Sequence, residues 1–166
     1  MAGDPETMLE PATVHAVFKA YDVRGLAPEQ IDAALARATG RAHAQVTGAD
    51  TVVVGHDMRP TSPELAAAFA EGAMEAGADV VMIGLASTDQ LYFASGHLGL
   101  PGAMFTASHN PAAYNGIKLC RADAVPIGME SGLAEIRDLV LAPGPTSGRR
   151  GGSGERDLLD DYARHL

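Results

Sequence analysis

Three short apolar runs, at residues 51–54, 79–83 and 102–105, alternate with segments of helical periodicity, and that alternation restricts the chain to few folds. Val52, Val53 and Val54 in the first run and Val80, Val81, Met82 and Ile83 in the second leave no polar face for water. Strands of this kind must be covered on both sides, as in a parallel sheet between two layers of helices. The intervening segments supply those layers. Residues 29–46 are rich in alanine, with Ile31, Leu35, Ala38 and Ala42 at helical spacing. Thr61 or Ser62 caps a second helix, with Pro63 and Glu64 in its first turn, Leu65, Phe69, Gly72 and Met74 following, and Gly77 as its stop. Residues 88–97 form a third, capped by Thr88 or Asp89. The order strand, helix, strand, helix, strand predicts an α/β fold: a three-layer α/β/α single domain with a mainly parallel mixed sheet.

The flanks are read from local composition. Residues 1–13 are polar and contain proline, with no apolar periodicity, and are expected to be disordered. Residues 17–25 are extended in type and stop at Gly25. Residues 116–120 read as a further strand after a tight Asn115-Gly116 turn, and 129–140 as an amphipathic helix with Leu133, Ile136 and Val140 on one side. The domain is therefore expected over 14–142. Residues 143–154, dense in Gly, Pro, Ser and Arg, read as a flexible loop or linker, and 155–166 as an isolated acidic helix leading towards whatever follows.

Charge and cysteine usage exclude several classes of function. Across 166 residues, 12 Lys and Arg face 21 Asp and Glu, a net charge of −9. A general nucleic-acid binder needs clustered cationic excess, which is absent. The apolar run 80–83 is far too short to span a bilayer. A single cysteine, Cys120, rules out an internal disulfide framework and a cysteine-based zinc site. The acidic residues Asp4, Glu6 and Glu10 replace the positive segment of a secretory leader, so a cytoplasmic location is expected.

In open parallel sheets, ligands gather at the carboxyl ends of the strands. Three segments carry chemistry there: residues 55–59 (Gly-His-Asp-Met-Arg), 106–111 (Thr-Ala-Ser-His-Asn-Pro) and 21–25 (Tyr-Asp-Val-Arg-Gly). Residues 106–111 set a hydroxyl, an imidazole and an amide side by side directly after an apolar strand. The residues alone leave two readings open: a ligand-facing serine loop, or a turn in which Ser108 and Asn110 only satisfy backbone groups. A serine hydrolase is disfavoured, since no Gly-x-Ser-x-Gly elbow is present. Lys118 is either a site cation or a strand-edge lysine reaching solvent, and Arg24 either a site cation or an ion-pair partner of Asp22 or Asp57. Asp57 and Arg59 are expected to tie neighbouring loops together through a buried or half-buried pair. His15, His43, His56, His97 and His165 lack metal-ligand spacing and are expected to be surface or packing residues.

Four strings occur in one order: FKAYDVRG at 18–25, GHDMR at 55–59, TASHNP at 106–111 and YNGIKL at 114–119. Together they resemble the first domain of the α-D-phosphohexomutase family, over residues 17–140. The opening is similar to the phosphomannomutase/phosphoglucomutase branch; the phosphoglucosamine mutase branch, usually opening G-T-D-G-[IV]-R-G, is the alternative. The resemblance implies that Ser108 carries a transferable phosphoryl group, with Arg24 and Lys118 lining the site and Lys118 exchanging a proton with the reacting hydroxyl. It also implies substrate contacts from Tyr21, His109 and Asn110, although Tyr21 could instead pack beneath the loop, His109 could orient it and Asn110 could shape it. A phosphoserine adds about −1.5 to −2 charge and three acceptor oxygens, so it needs cations around it. The family supplies Mg²⁺ there, held by Ser108 through its phosphate and by three aspartates of a D-G-D-x-D-R loop in a second domain.

That string is absent here, as are the family's sugar-reading G-E-x-S-G-H pattern and the phosphate-binding loop of its last domain. The implied parent reaction interconverts the 1- and 6-phosphates of a hexose such as mannose or glucose, through a 1,6-bisphosphate. The chain is expected to contribute the phosphoserine without turning over alone. The alternative is a stand-alone phosphosugar-binding or assembly module. Mannose versus glucose preference and oligomeric state are not set by these residues.

Overall fold

The computed structural model describes residues 9–146 and 148–166. Of the segment expected to be disordered, residues 1–8 lie outside the described residues. The rest is not disordered: helix α1 (Pro11–Val17) begins there with proline in its first turn, and it buries Val14 and Val17. Two apolar residues one turn apart are enough to dock so short a helix, a pattern that the polar residues around them conceal.

After α1 come β1 (Val23–Leu26), α2 (Ala33–Thr47), β2 (Thr51–His56), α3 (Ser62–Glu75), β3 (Asp79–Leu85), α4 (Thr88–Leu98), β4 (Gly102–Phe105), β5 (Tyr114–Arg121), β6 (Val125–Pro126), α5 (Leu133–Leu141), β7 (Ser153–Glu155) and α6 (Leu159–His165). They form one α/β domain, whose sheet has the order β1-β5-β4-β2-β3-β7 with β6 paired to β5. Strands β4, β2, β3 and β7 are parallel, whereas β5 runs antiparallel to β4, β1 and β6. The mixed three-layer sheet is thus as expected.

Alternation along the strands divides the core. Val52 and Val54 of β2 join Leu35, Phe69, Phe105 and Ile136 on the face covered by α1, α2, α3 and α5. Val53 points the other way, to Leu91 and Ala94 of α4, Met104, Cys120 and Leu158. Helices α2 and α3 pack backbone to backbone. A Cβ on Gly40 would sit 2.0 Å from the Phe69 carbonyl oxygen, and one on Gly72 would sit 1.8 Å from that of Arg37.

Several boundaries differ from expectation for local reasons. Asn115 and Gly116 form no turn; they lie inside β5, where Gly116 faces Arg24 of β1. The cap of α4 is Ser87, not Thr88 or Asp89: its side chain accepts from the Gln90 N–H while the Gln90 side chain accepts from the Ser87 N–H. The expected linker ends on the sheet. Gly151 donates to the Met74 carbonyl, Val80 donates to that of Gly152, and residues 153–155 form β7 beside β3. Helix α6 is shorter than expected and is not isolated, because Tyr162 and His165 pack on Phe93 of α4, with ring centroids 5.5 and 5.0 Å away.

His43 of α2 is wholly buried, beside Phe69, and its Nε2 lies 3.1 Å from the Cys120 carbonyl oxygen. Burial, opposed in part by that hydrogen bond and reinforced by the charge of Arg121, lowers its pKa from 6.5 to about 4. The unfolded chain therefore binds a proton more readily than the folded one. The stability tied to neutral His43 is complete above pH 6.5 and is lost as pH falls towards about 4. Urea unfolding across that window should show wild type losing up to about 3 kcal/mol that a His43→Leu variant does not lose; parallel pH profiles would contradict this. Gly72→Ala should destabilise by about 2 kcal/mol in the same assay, because overpacking between α2 and α3 outweighs the gain in helix propensity.

Candidate active site

The carboxyl end of β4 opens into the loop 106–114, and one side chain organises it. Arg59, buried in the turn after β2, spends all five guanidinium donors. Nε donates to Asp57 Oδ2 at 3.2 Å; Nη1 donates to the carbonyls of Pro111 (2.7 Å) and Tyr114 (3.0 Å); Nη2 donates to those of Ser108 (3.1 Å) and Asn110 (2.8 Å). Asp57 is held in turn: its Oδ1 accepts from the Arg59 N–H (3.0 Å) and the Ser62 hydroxyl (2.6 Å), and its own N–H donates to the Phe105 carbonyl (2.9 Å). The loop-tying role expected of Asp57 and Arg59 is what the structure displays, with more contacts than the sequence signals.

Within the loop, the Ser108 N–H donates to Thr106 Oγ1 at 3.0 Å and the Asn110 N–H to the Ala107 carbonyl at 3.0 Å. Ser108 has φ 52°, the left-handed region that L-residues with a Cβ seldom occupy. Such strain persists only where surrounding bonds over-determine the backbone, and Arg59 with Thr106 does so here. Ser108 and His109 are both exposed, at the mouth of the sheet.

The second wall comes from the antiparallel edge. β5 turns back beside β4, pairing Lys118 with Met104, and β1 pairs Arg24 with Gly116. A Cβ at 116 would lie 2.3 Å from the Val23 carbonyl oxygen and 3.0 Å from that of Thr106, so only glycine lets these strands and the serine loop close together. Asn115, fully buried, donates to the hydroxyls of Thr61 (2.8 Å) and Ser62 (3.0 Å) and ties β5 to the start of α3.

Arg24 and Lys118 converge on Asp22, and Arg24 also meets Asn110. Arg24 Nη2 donates to Asp22 Oδ2 at 2.7 Å, Lys118 Nζ lies 3.6 Å from the same oxygen, and Arg24 Nη1 donates to Asn110 Oδ1 at 2.9 Å. Arg24 therefore both ion-pairs with Asp22 and reaches the serine loop, and Lys118 is a paired, partly buried cation. Tyr21, beside Asp22, is 83% exposed, which excludes the alternative of a ring packed beneath the loop. In the sequence Asp22 is legible only as a possible partner of Arg24. The two-residue spacing in an extended segment already places both side chains on one face, but the approach of Lys118 depends on strand pairing and is invisible in the string.

The serine loop, with Ser108 exposed, meets this pair of cations through Asn110, and two cations at the edge of such a loop suit a phosphoryl anion. The cluster does not by itself suit a magnesium ion. Among the described residues no three His, Cys, Asp or Glu side chains converge, and Asp22 is already engaged by Arg24 and Lys118.

Known proteins share this fold and much of this sequence. Residues 15–143 match the family model for phosphoglucomutase/phosphomannomutase, alpha/beta/alpha domain I. A phosphomannomutase of Escherichia coli is 43% identical over 153 residues, which cover 90% of this chain and 34% of that protein. A protein of Xanthomonas campestris pv. campestris named for phosphohexose mutases is 46% identical over 132 residues, 79% of this chain and 30% of its own. A phosphoglucomutase/phosphomannomutase family protein of Burkholderia thailandensis superimposes with a TM-score of 0.82 at 32% identity, covering 95% of this chain and 35% of that one. The chain thus spans about a third of the length of these relatives. It belongs to the phosphoglucomutase/phosphomannomutase family and is the α/β/α domain I of that family.

Proposed function

We propose that this domain supplies the phosphoserine of a phosphohexomutase, an isomerase acting on hexose phosphates such as mannose or glucose 1- and 6-phosphate. The observation that carries this reading is Ser108 itself: exposed, held at φ 52° on a loop fixed by Arg59, and joined through Asn110 to Arg24. A serine hydroxyl is a weak nucleophile at its ordinary pKa, so the useful form of this residue is the phosphorylated one. In the forward step the bond from Ser108 Oγ to phosphorus breaks and a bond from the substrate hydroxyl to phosphorus forms. Lys118, as an ammonium, would give a proton to the departing Ser108 Oγ and recover one from the attacking hydroxyl, so that its charge is unchanged over the step, and the bisphosphate produced would return its other phosphoryl group to Ser108 Oγ after reorienting.

The chain's own residues contribute placement and charge. Arg59 sets the direction of the serine backbone, while Arg24 and Lys118 offset the charge of the phosphoryl oxygens as it passes between two oxygens in line. His109 and Asn110, following Ser108, and the exposed Tyr21 would meet the sugar phosphate. Magnesium, when held by the phosphoserine together with carboxylates from a further domain, would add charge neutralisation. The hydroxyl that distinguishes mannose from glucose would be read by residues outside this domain, so we assign no preference between them. The domain alone would accept and hold the phosphoryl group without interconverting 1- and 6-phosphates.

Intact-mass measurement tests the central part. After incubation with glucose 1,6-bisphosphate the chain should gain one phosphoryl group, located on the peptide containing Ser108 and absent in Ser108→Ala. A phosphoryl group at another residue, or one retained by Ser108→Ala, would refute the role of Ser108. Conversion of 1-phosphate to 6-phosphate by the chain at the rate of a full-length relative would refute its dependence on further domains.

A further inference from the structure

Asp22 has no part in the reaction just described, yet it stands at its centre. Its side chain is only 13% exposed, and a carboxylate so buried is costly unless cations attend it. It has two, on the same oxygen and at unequal range: Arg24 Nη2 at hydrogen-bond distance, 2.7 Å, and Lys118 Nζ at 3.6 Å. Arg24 is held on its other side by Asn110, and its Nε is buried without a partner. Arg24 is thus locked on two fronts, whereas among the described residues Lys118 is held by the longer ion pair with Asp22.

We propose that Asp22 is the resting counter-ion of this site: it positions Arg24 and Lys118 and competes with an incoming phosphoryl group for their charge. The inference rests on the reading of Arg24 and Lys118 as phosphoryl-facing cations and adds a role for the carboxylate between them. With Asp22 present the cluster carries a net charge of +1; without its charge, +2. The long contact to Lys118 is the one that yields, so Lys118 turns towards the phosphoryl group while Arg24 stays fixed by Asp22 and Asn110. A carboxylate next to a phosphoryl dianion repels it, so Asp22 lowers affinity for the anion in exchange for keeping two like charges together when none is bound. Asp22 is accordingly a positioning residue, and it differs from a purely structural one in the sign of its effect. Loss of a structural residue weakens phosphate binding; loss of a competing anion strengthens it.

The test is titration of the dephosphorylated chain with inorganic phosphate at constant ionic strength, followed by NMR. Asp22→Asn should bind phosphate about tenfold or more tightly than wild type, and Asp22→Glu, which keeps the charge, should stay near the wild-type value. Weaker or equal binding by a folded Asp22→Asn chain would overturn the proposal, as would undetectable binding by both proteins. If Asp22→Asn fails to fold, the wild-type chain decides. The carboxyl carbon signal of Asp22 should shift on phosphate addition as Lys118 is drawn away, while that of Asp32, which caps α2 by accepting from the Leu35 N–H, should not. An unmoved Asp22 signal would overturn it. These outcomes are separable from the Ser108 assay: phosphoryl transfer to Ser108 without the Asp22 effect removes only the counter-ion role, and the Asp22 effect without phosphorylation leaves an anion site and removes the phosphoserine reading.

Discussion

The buried guanidinium of Arg59 is the interaction on which the site depends. Removing such a charge from water costs several kcal/mol, a penalty recovered only when its donors are matched. Here one carboxylate and four backbone carbonyls match all five, and the carbonyls belong to residues 108, 110, 111 and 114 of a single loop. The arrangement runs in both directions. The loop solvates Arg59, and Arg59 holds the loop, including a serine whose positive φ would otherwise relax. Asp57, tied to Ser62 at the head of α3 and to the end of β4, connects this unit to the rigid sheet.

The sheet's topology supplies the other half. Had the fold stayed wholly parallel, the residues after β4 would have left the sheet through another helix. Instead β5 returns at once, antiparallel, and carries Lys118 alongside the strand that ends in the serine loop; β1 then closes on β5 and brings Asp22 and Arg24. Gly116 is the steric condition for that closure, because a side chain there would strike two backbone carbonyls. Three sequence segments from distant parts of the chain therefore share one edge with little freedom to separate.

Much of this fold was legible in the chain. The β-branched runs of β2 and β3, the periodicity of α2 and α3 and the alternation between them follow from burial, a property that each local segment advertises. The serine loop was legible through its string. Other features depend on partners that lie far away in sequence. Asn115-Gly116 looks like a turn because these residue types are common in turns; only the neighbouring strand β1 shows why 116 is glycine, and only the start of α3 shows why 115 is an amide. The glycines at 151 and 152 look like linker residues, but Gly151 lies so close to the Ala78 carbonyl that a side chain there is excluded, and the segment adds a strand to β3. Arg59 and Asp22 were visible as charged residues; which carbonyls and cations meet them is decided by topology, which no window of sequence contains.

One side chain, Arg59, holds the serine loop in its working shape. Amide hydrogen exchange in Arg59→Lys tests it most directly, since lysine keeps the charge but replaces a planar five-donor fork with a single ammonium. Losing charge-assisted bonds of about 1.5–3 kcal/mol each should speed exchange across residues 106–114 by about tenfold or more, while β2 and β3 keep wild-type protection. Unchanged exchange in the loop, or acceleration spread evenly over the whole domain, would contradict it.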